Sequence, residues 1–198
     1  MLDLSHFDNS WYHPGRSRAI QALWFFVGLP LLRSPWLPLS SVRASVLRLF
    51  GARVGKGAVI KPGVRVKYPW LLTVGDHVWI GEDAWIDNLA QVMIGNHVCI
   101  SQGANLCTGN HDWSDPNFGL LIKPITLESG SWVGARAVIA PGVTLGQYAI
   151  ATAGAVVYKS IPPNEIHSGN PATFQRYRVL SPVAVNRKES FSTSGSAL

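Results

Sequence analysis

Residues 54–71 read VGKGAVIKPGVRVKYPWL, residues 74–91 VGDHVWIGEDAWIDNLAQ and residues 94–111 IGNHVCISQGANLCTGNH. Cut into sixes, each stretch gives three hexads that open on Val or Ile, with Leu106 opening the ninth. The frame resumes at Leu127 with LESGSW, VGARAV and IAPGVT, then at Leu145 with LGQYAI, ATAGAV and VYKSIP. Of these fifteen hexads fourteen begin with Val, Ile or Leu, Ala151 being the exception, and six carry Gly second. A period of six suits neither a 3.6-residue helix nor an extended alternating strand; it suits very short strands separated by turns. Each hexad then forms one side of a triangular coil, with its first residue inward and its fifth a smaller inward residue near the corner. Glycine at the second position marks a bend where side-chain bulk or ordinary dihedrals would be costly. No coil buries its own core, so stacked coils must share columns of aliphatic side chains. The spacing therefore predicts an all-β parallel helix of about five coils over residues 54–161.

The remaining chain falls into three parts. Residues 1–53 form an N-terminal helical, apolar segment, residues 162–180 a C-terminal cap that leaves the coils through Pro162 and Pro163, and residues 181–198 a polar, serine-rich tail expected to be mobile. At 198 residues the chain is long enough for one domain with its own core. A charged fraction of 14% against 47% hydrophobic residues excludes a disordered chain. Cys99 and Cys107 form neither a disulfide framework nor a C-x-x-C motif, and fit two small buried residues in a reducing cytoplasm.

The net charge of +6 is concentrated at the N-terminus, where residues 1–53 hold six arginines against Asp3 and Asp8. These flank AIQALWFFVGLPLL (19–32), which is short for a spanning helix and is not followed by a cleavage site. Two readings stay open: helices packed on the main domain, or an interfacial hairpin touching anionic lipid. No nucleic-acid motif accompanies the basic residues.

The hexad frame breaks after residue 111. The stretch LCTGNHDWSDPNFG (106–119) carries His111 at the break, and about fifteen residues, roughly 112 to 126, fall outside the coil before Leu127. A loop projecting from a rigid solenoid is usually functional.

The hexads resemble those of the hexapeptide-repeat acyltransferases, whose fold is a left-handed parallel β-helix. LRLFGARVGKGAVIKP, VKYPWLLTVGD, the 106–119 stretch and IPPNEIHSGNPA make the chain most similar to O-acetyltransferases of exopolysaccharide biosynthesis, the colanic-acid type. Galactoside and maltose acetyltransferases are more distant likenesses. The resemblance implies acetyl-CoA as co-substrate, no required metal, a protruding loop at 107–126, a sugar or glycan acceptor, and a homotrimer with active sites between subunits. It implies a cytoplasmic enzyme, with possible peripheral contact of the N-terminal segment at the inner face of the membrane. His111 is the implied general base: a neutral alcohol attacks a thioester slowly, and imidazole can take its proton near neutral pH. Asp87 is the implied group orienting acceptor or imidazole, with Asn88 and Trp132 at the acceptor. The backbone N–H of Ala135 is implied at the oxyanion and at the cofactor, Ala153 at the pantetheine arm, and Lys159 and Arg176 near the phosphates. Thr173 replaces the arginine that galactoside enzymes carry after Gly-x-Pro. Competing readings are a carbonic anhydrase of the same fold, whose H-x-x-x-x-H spacing is absent, a non-catalytic trimeric scaffold, and a transferase for an amine or antibiotic hydroxyl. His77 and His97, one coil apart, read as repeated turn positions.

Overall fold

The computed structural model describes residues 4–37 and 39–180; the tail expected at 181–198 lies outside the described residues. Three parallel sheets form the sides of a prism. Val54, Val74, Ile94, Leu127 and Leu145 pair in register up one side, and Ile60, Ile80, Ile100, Val133 and Ala151 up the second. Val66, Ile86, Leu106, Ile139 and Val157 pair up the third. These are the fifteen hexad-opening residues, and all but half-buried Val54 are buried. Strands of two or three residues have no stability alone; it comes from columns in which each Ile, Leu or Val contributes about 1.5–3 kcal/mol by leaving water. Ile161 bridges to Leu145 and begins a partial sixth turn beyond the five expected coils.

The second-position glycines have a different cause from the one the pattern suggested. None has a positive φ; that conformation falls on the fourth position, at His77 (φ 55°), Asp83 (57°), His97 (56°), Arg136 (56°) and Tyr148 (61°) among others. Instead, a Cβ on Gly55 would lie 2.6 Å from the carbonyl carbon of Gly75, and one on Gly75 would lie 2.7 Å from that of Gly95. Backbone of the next coil occupies the space, and only a residue without a side chain lets the coils stack.

At the N-terminus, helices α1 (Arg18–Leu23), α2 (Leu29–Arg33) and α3 (Ser40–Leu49) cover the base of the prism. A π-helical turn at Trp24–Gly28 joins the first two. Its extra residue rotates Trp24 inward, where its indole N–H donates to the Val66 carbonyl at 3.0 Å, while Phe25 and Phe26 face outward. Leu32 and Leu47 join the core, and Arg43, 1% exposed, donates to the carbonyls of Leu32 (3.2 Å) and Ser34 (2.8 Å) at the end of α2. One N-terminal arginine is thus a buried helix clamp rather than a surface charge. The helices pack on the domain and still expose Leu23, Leu31 and Leu49, so the two readings of this segment are not exclusive. No helix among the described residues is long and apolar enough to cross a membrane.

At the other end, Glu165–Ser168 pairs with Ile150–Ala151, and antiparallel Thr173–Tyr177 lies against its free edge.

Candidate active site

The break in the hexads is a hairpin. Gly109–His111 pairs antiparallel with Leu120–Ile122, Gly109 opposite Ile122 and His111 opposite Leu120. The hairpin therefore leaves the coil inside the ninth hexad, earlier than a count from 112 suggests. Lys123 N–H donates back to the Thr108 carbonyl at 2.9 Å, and Ile125–Leu127 rejoins the prism beside Val92–Ile94.

The hairpin tip is built by Asp115, whose carboxylate accepts from the N–H groups of Asn117 (2.9 Å) and Gly119 (3.1 Å). Its carbonyl accepts from Phe118 N–H at 2.8 Å. Within this turn Phe118 takes a left-handed φ of 54°, and its carbonyl lies 2.9 Å from His111 Nδ1. A carbonyl oxygen can only accept, so Nδ1 carries a proton, and in the uncharged ring the lone pair is on Nε2. The Phe118 ring stacks on the imidazole, with centroids 4.3 Å apart and planes 8° apart, and Phe7 meets it edge-on at 5.4 Å. An imidazole packed between two aromatic rings with its Nδ1–H engaged presents Nε2 as the ring atom that can exchange a proton with a substrate.

Asp87 lies on the same side of the prism, opposite Cys107 in the strand that feeds the hairpin. Its carbonyl accepts from the Thr108 N–H and hydroxyl, both at 3.1 Å. The carboxylate Oδ1 is buried 3.0 Å from Lys67 Nζ and accepts no directed hydrogen bond among the described residues. The imidazole is oriented by Phe118 instead of Asp87.

Asn88 is 0% exposed, and its amide accepts from Tyr68 N–H (2.9 Å) and donates to the Tyr68 carbonyl (2.7 Å). The expected acceptor contact gives way to a structural duty: Asn88 ties two coils together. Asn88→Ala should cost about 2–3 kcal/mol, the two lost bonds plus an unsatisfied buried peptide. Urea unfolding measures it, and acceptor KM should not change; a raised KM at undiminished stability would return Asn88 to the acceptor.

Trp132, Ala135 and Ala153 come together around a groove of about 340 Å³ on a different side of the prism. Trp132 is held by its indole N–H donating to Ser101 Oγ at 2.9 Å. The N–H groups of Ala135 and Ala153 donate to nothing among the described residues, like those of Glu82 and Gln102 at the same corner, whereas at another corner Lys56 N–H is capped by Asp76 and Gln147 N–H by Glu128, each at 2.8 Å. A Cβ on Gly134 would sit 2.4 Å from the Ala153 nitrogen, so this glycine keeps that donor open. Arg176 pairs with Ile166, which pairs with Ile150 and so with Trp132, and continues the outward row that contains the tryptophan. Lys159 and Arg176 are both exposed and stand outside the groove walls. His77 and His97 stack 5.3 Å apart at equivalent corners. Among the described residues no three His, Cys, Asp or Glu cluster at ligand spacing.

The fold is shared with a hexapeptide-repeat acetyltransferase from Vibrio cholerae, at a TM-score of 0.73 and 27% identity over 81% of this chain and 93% of that one. A second structure of the same protein, 24% identical by that alignment, was solved with acetyl-CoA. No family model matches the chain. Over 180 residues it is 39% identical to the putative colanic acid biosynthesis acetyltransferase WcaF of Escherichia coli (strain K12), covering 90% of this chain and 98% of the relative. The chain belongs to the hexapeptide-repeat acetyltransferases. The acetyltransferase is also 33% identical to the galactoside O-acetyltransferase of E. coli over 132 residues, 65% of each chain.

Three residues around the candidate site were absent from the sequence reading. Phe118 supplies the Nδ1 partner through its backbone, and only the D-x-N-x-G turn around it hints at its conformation. Phe7 and Tyr12, whose hydroxyl donates to the Leu89 carbonyl at 2.7 Å, bring the N-terminal segment over the site from about 80 to 100 residues away. Burial raises the Tyr12 hydroxyl's pKa, with Tyr68 and Asp87 adding to it, which keeps that donor protonated.

Proposed function

We propose that the chain transfers the acetyl group of acetyl-CoA to a sugar hydroxyl in exopolysaccharide or lipid-linked glycan assembly. The observation that carries this is His111, with Nδ1–H engaged by the Phe118 carbonyl and Nε2 free. Nε2 takes the hydroxyl proton as the oxygen attacks the thioester carbonyl. The tetrahedral oxyanion is met by unspent N–H groups such as that of Ala135. The C–S bond then breaks, and CoA leaves as the thiol with the proton returned by the imidazolium. Asp87 orients the acceptor, Trp132 and Ala153 line the thioester's approach, and Lys159 and Arg176 meet the cofactor's phosphates.

Base and groove stand on different sides of one prism, which supports a homotrimer whose sites form between neighbours. The exposed Leu23, Leu31, Trp36, Leu39 and Leu49, together with surface arginines, support peripheral contact with an anionic, cytoplasm-facing membrane.

Release of CoA thiol across nucleotide sugars, lipid-linked sugars and oligosaccharides tests the activity; a protein that binds no acetyl-CoA would be a scaffold. Subunit sharing is tested by co-expressing His111→Ala with groove-filling Ala153→Trp. Each variant alone should be inactive, while an equal mixture in trimers should recover about one quarter of wild-type activity, the fraction of interfaces with both halves intact. No recovery would place base and groove in one chain.

A further inference from the structure

A cavity of about 510 Å³ lies between the N-terminal helices and the first two coils, on the side of the prism that carries Asp87. Its walls divide by chemistry. Phe25, Phe26 and Leu29 form the helix side, and Arg65, Lys67 and Asp87 the coil side. Lys67 stands 3.0 Å from Asp87, and the Arg65 guanidinium lies over the Trp85 ring at 4.6 Å. Two cations against one carboxylate leave one positive charge for an anion. Beyond the cations the walls become aromatic: Phe25 is 60% and Phe26 73% exposed. A second, larger groove of about 860 Å³ shares Phe25, Phe26 and Leu29 and continues past Pro30, where Arg33, Glu82 and Asp83 join Pro35 and Pro62 in its walls.

These aromatics are not surplus from core packing. The π-turn that buries Trp24 sends the next two rings outward, and Gly28 permits it, since a Cβ there would lie 2.2 Å from the Trp24 ring. A free sugar would leave both phenylalanines in water and the excess charge unmatched. A sugar attached through phosphate to a hydrocarbon chain matches the sequence of walls: hydroxyl at Asp87 and His111, phosphate at Lys67 and Arg65, chain along Phe25 and Phe26.

We propose that this cavity is a subsite for a lipid phosphate, the carrier to which the acceptor sugar is still attached. The proposal rests on the acetyl-transfer reading above but is tested by binding alone. Calorimetry on the full chain would compare monomeric dodecyl phosphate, a neutral dodecyl glycoside and inorganic phosphate, with phosphatidylcholine vesicles containing or lacking phosphatidylglycerol. Dodecyl phosphate should bind once per chain, at least about tenfold tighter than the glycoside, and inorganic phosphate should not bind measurably. Phe26→Ser and Arg65→Ser should each weaken dodecyl phosphate by about tenfold or more while acetyl-CoA affinity stays at the wild-type value. Equal affinity for phosphate and glycoside would overturn the subsite. So would unchanged affinity in both variants, or binding to phosphatidylglycerol vesicles with none to monomeric dodecyl phosphate. Dodecyl phosphate bound as described by a protein that transfers no acetyl group would sink the catalytic reading and leave the subsite standing.

Discussion

His111→Ala is expected to lower kcat about a thousandfold, roughly 4 kcal/mol of barrier, with the Kd for acetyl-CoA essentially unchanged. The separation of effects follows from geometry. The imidazole lies on the hairpin, packed between Phe118 and Phe7, and lines no part of the groove around Trp132. Removing it leaves a small gap at the hairpin and no gap in the columns of the prism, so thermal stability should hardly move. Saturating acceptor must be used, because the lost interaction belongs to the transition state and not to acceptor binding. A variant that turns over at the wild-type rate would eliminate His111 as the base. Loss of activity together with loss of the folded oligomer would make it a structural residue.

Gly134→Ala should do the opposite, damaging coil and cofactor site together. The added Cβ would lie 2.4 Å from the Ala153 nitrogen and 2.5 Å from the Thr152 carbonyl carbon. Both are backbone atoms of the next coil, and no rotamer change relieves the contact. Overpacking of this kind costs about 1–3 kcal/mol, a fall in melting temperature of roughly 2–12 °C for a chain of this length. The same methyl group covers the Ala153 N–H, so acetyl-CoA should bind at least about tenfold more weakly. Gly55→Ala separates the two effects. It is crowded against Gly75 at 2.6 Å but far from the groove, and it should lose comparable stability with acetyl-CoA affinity intact. If Gly134→Ala loses stability but keeps full affinity, the open N–H of Ala153 does not hold the cofactor.

The frame of the prism was readable because its cause is periodic. Burial recurs every six residues, and the hexads beginning at Val54, Ile60 and Val66 pair with their successors without a slip. The loop was readable for the same reason, as a place where the period fails. The reason for the second-position glycines was only half visible, because crowding by the next coil and a positive φ select the same residue; only coordinates separate them. The atoms that tune His111 were out of reach. A carbonyl has no side-chain signature, so nothing in the letter Phe118 announces which way its oxygen turns. Phe7 and Tyr12 meet the site through contacts that recur nowhere else in the chain. Asn88 misled in the other direction: beside an aspartate at a promising spacing it reads as a ligand, whereas its two-ended hydrogen bonding to Tyr68 makes it a brace.

The hairpin's two ends leave and re-enter the prism side by side, with Gly109 opposite Ile122 and Lys123 bonded back to Thr108. Its length is therefore not coupled to the phase of the coils above and below it. Residues can be gained, lost or exchanged there at the modest entropic cost of a longer surface loop, which grows only logarithmically. The chemistry-bearing segment and the load of the fold can thus vary independently, and a chain of this kind can change what it acetylates without renegotiating how it folds.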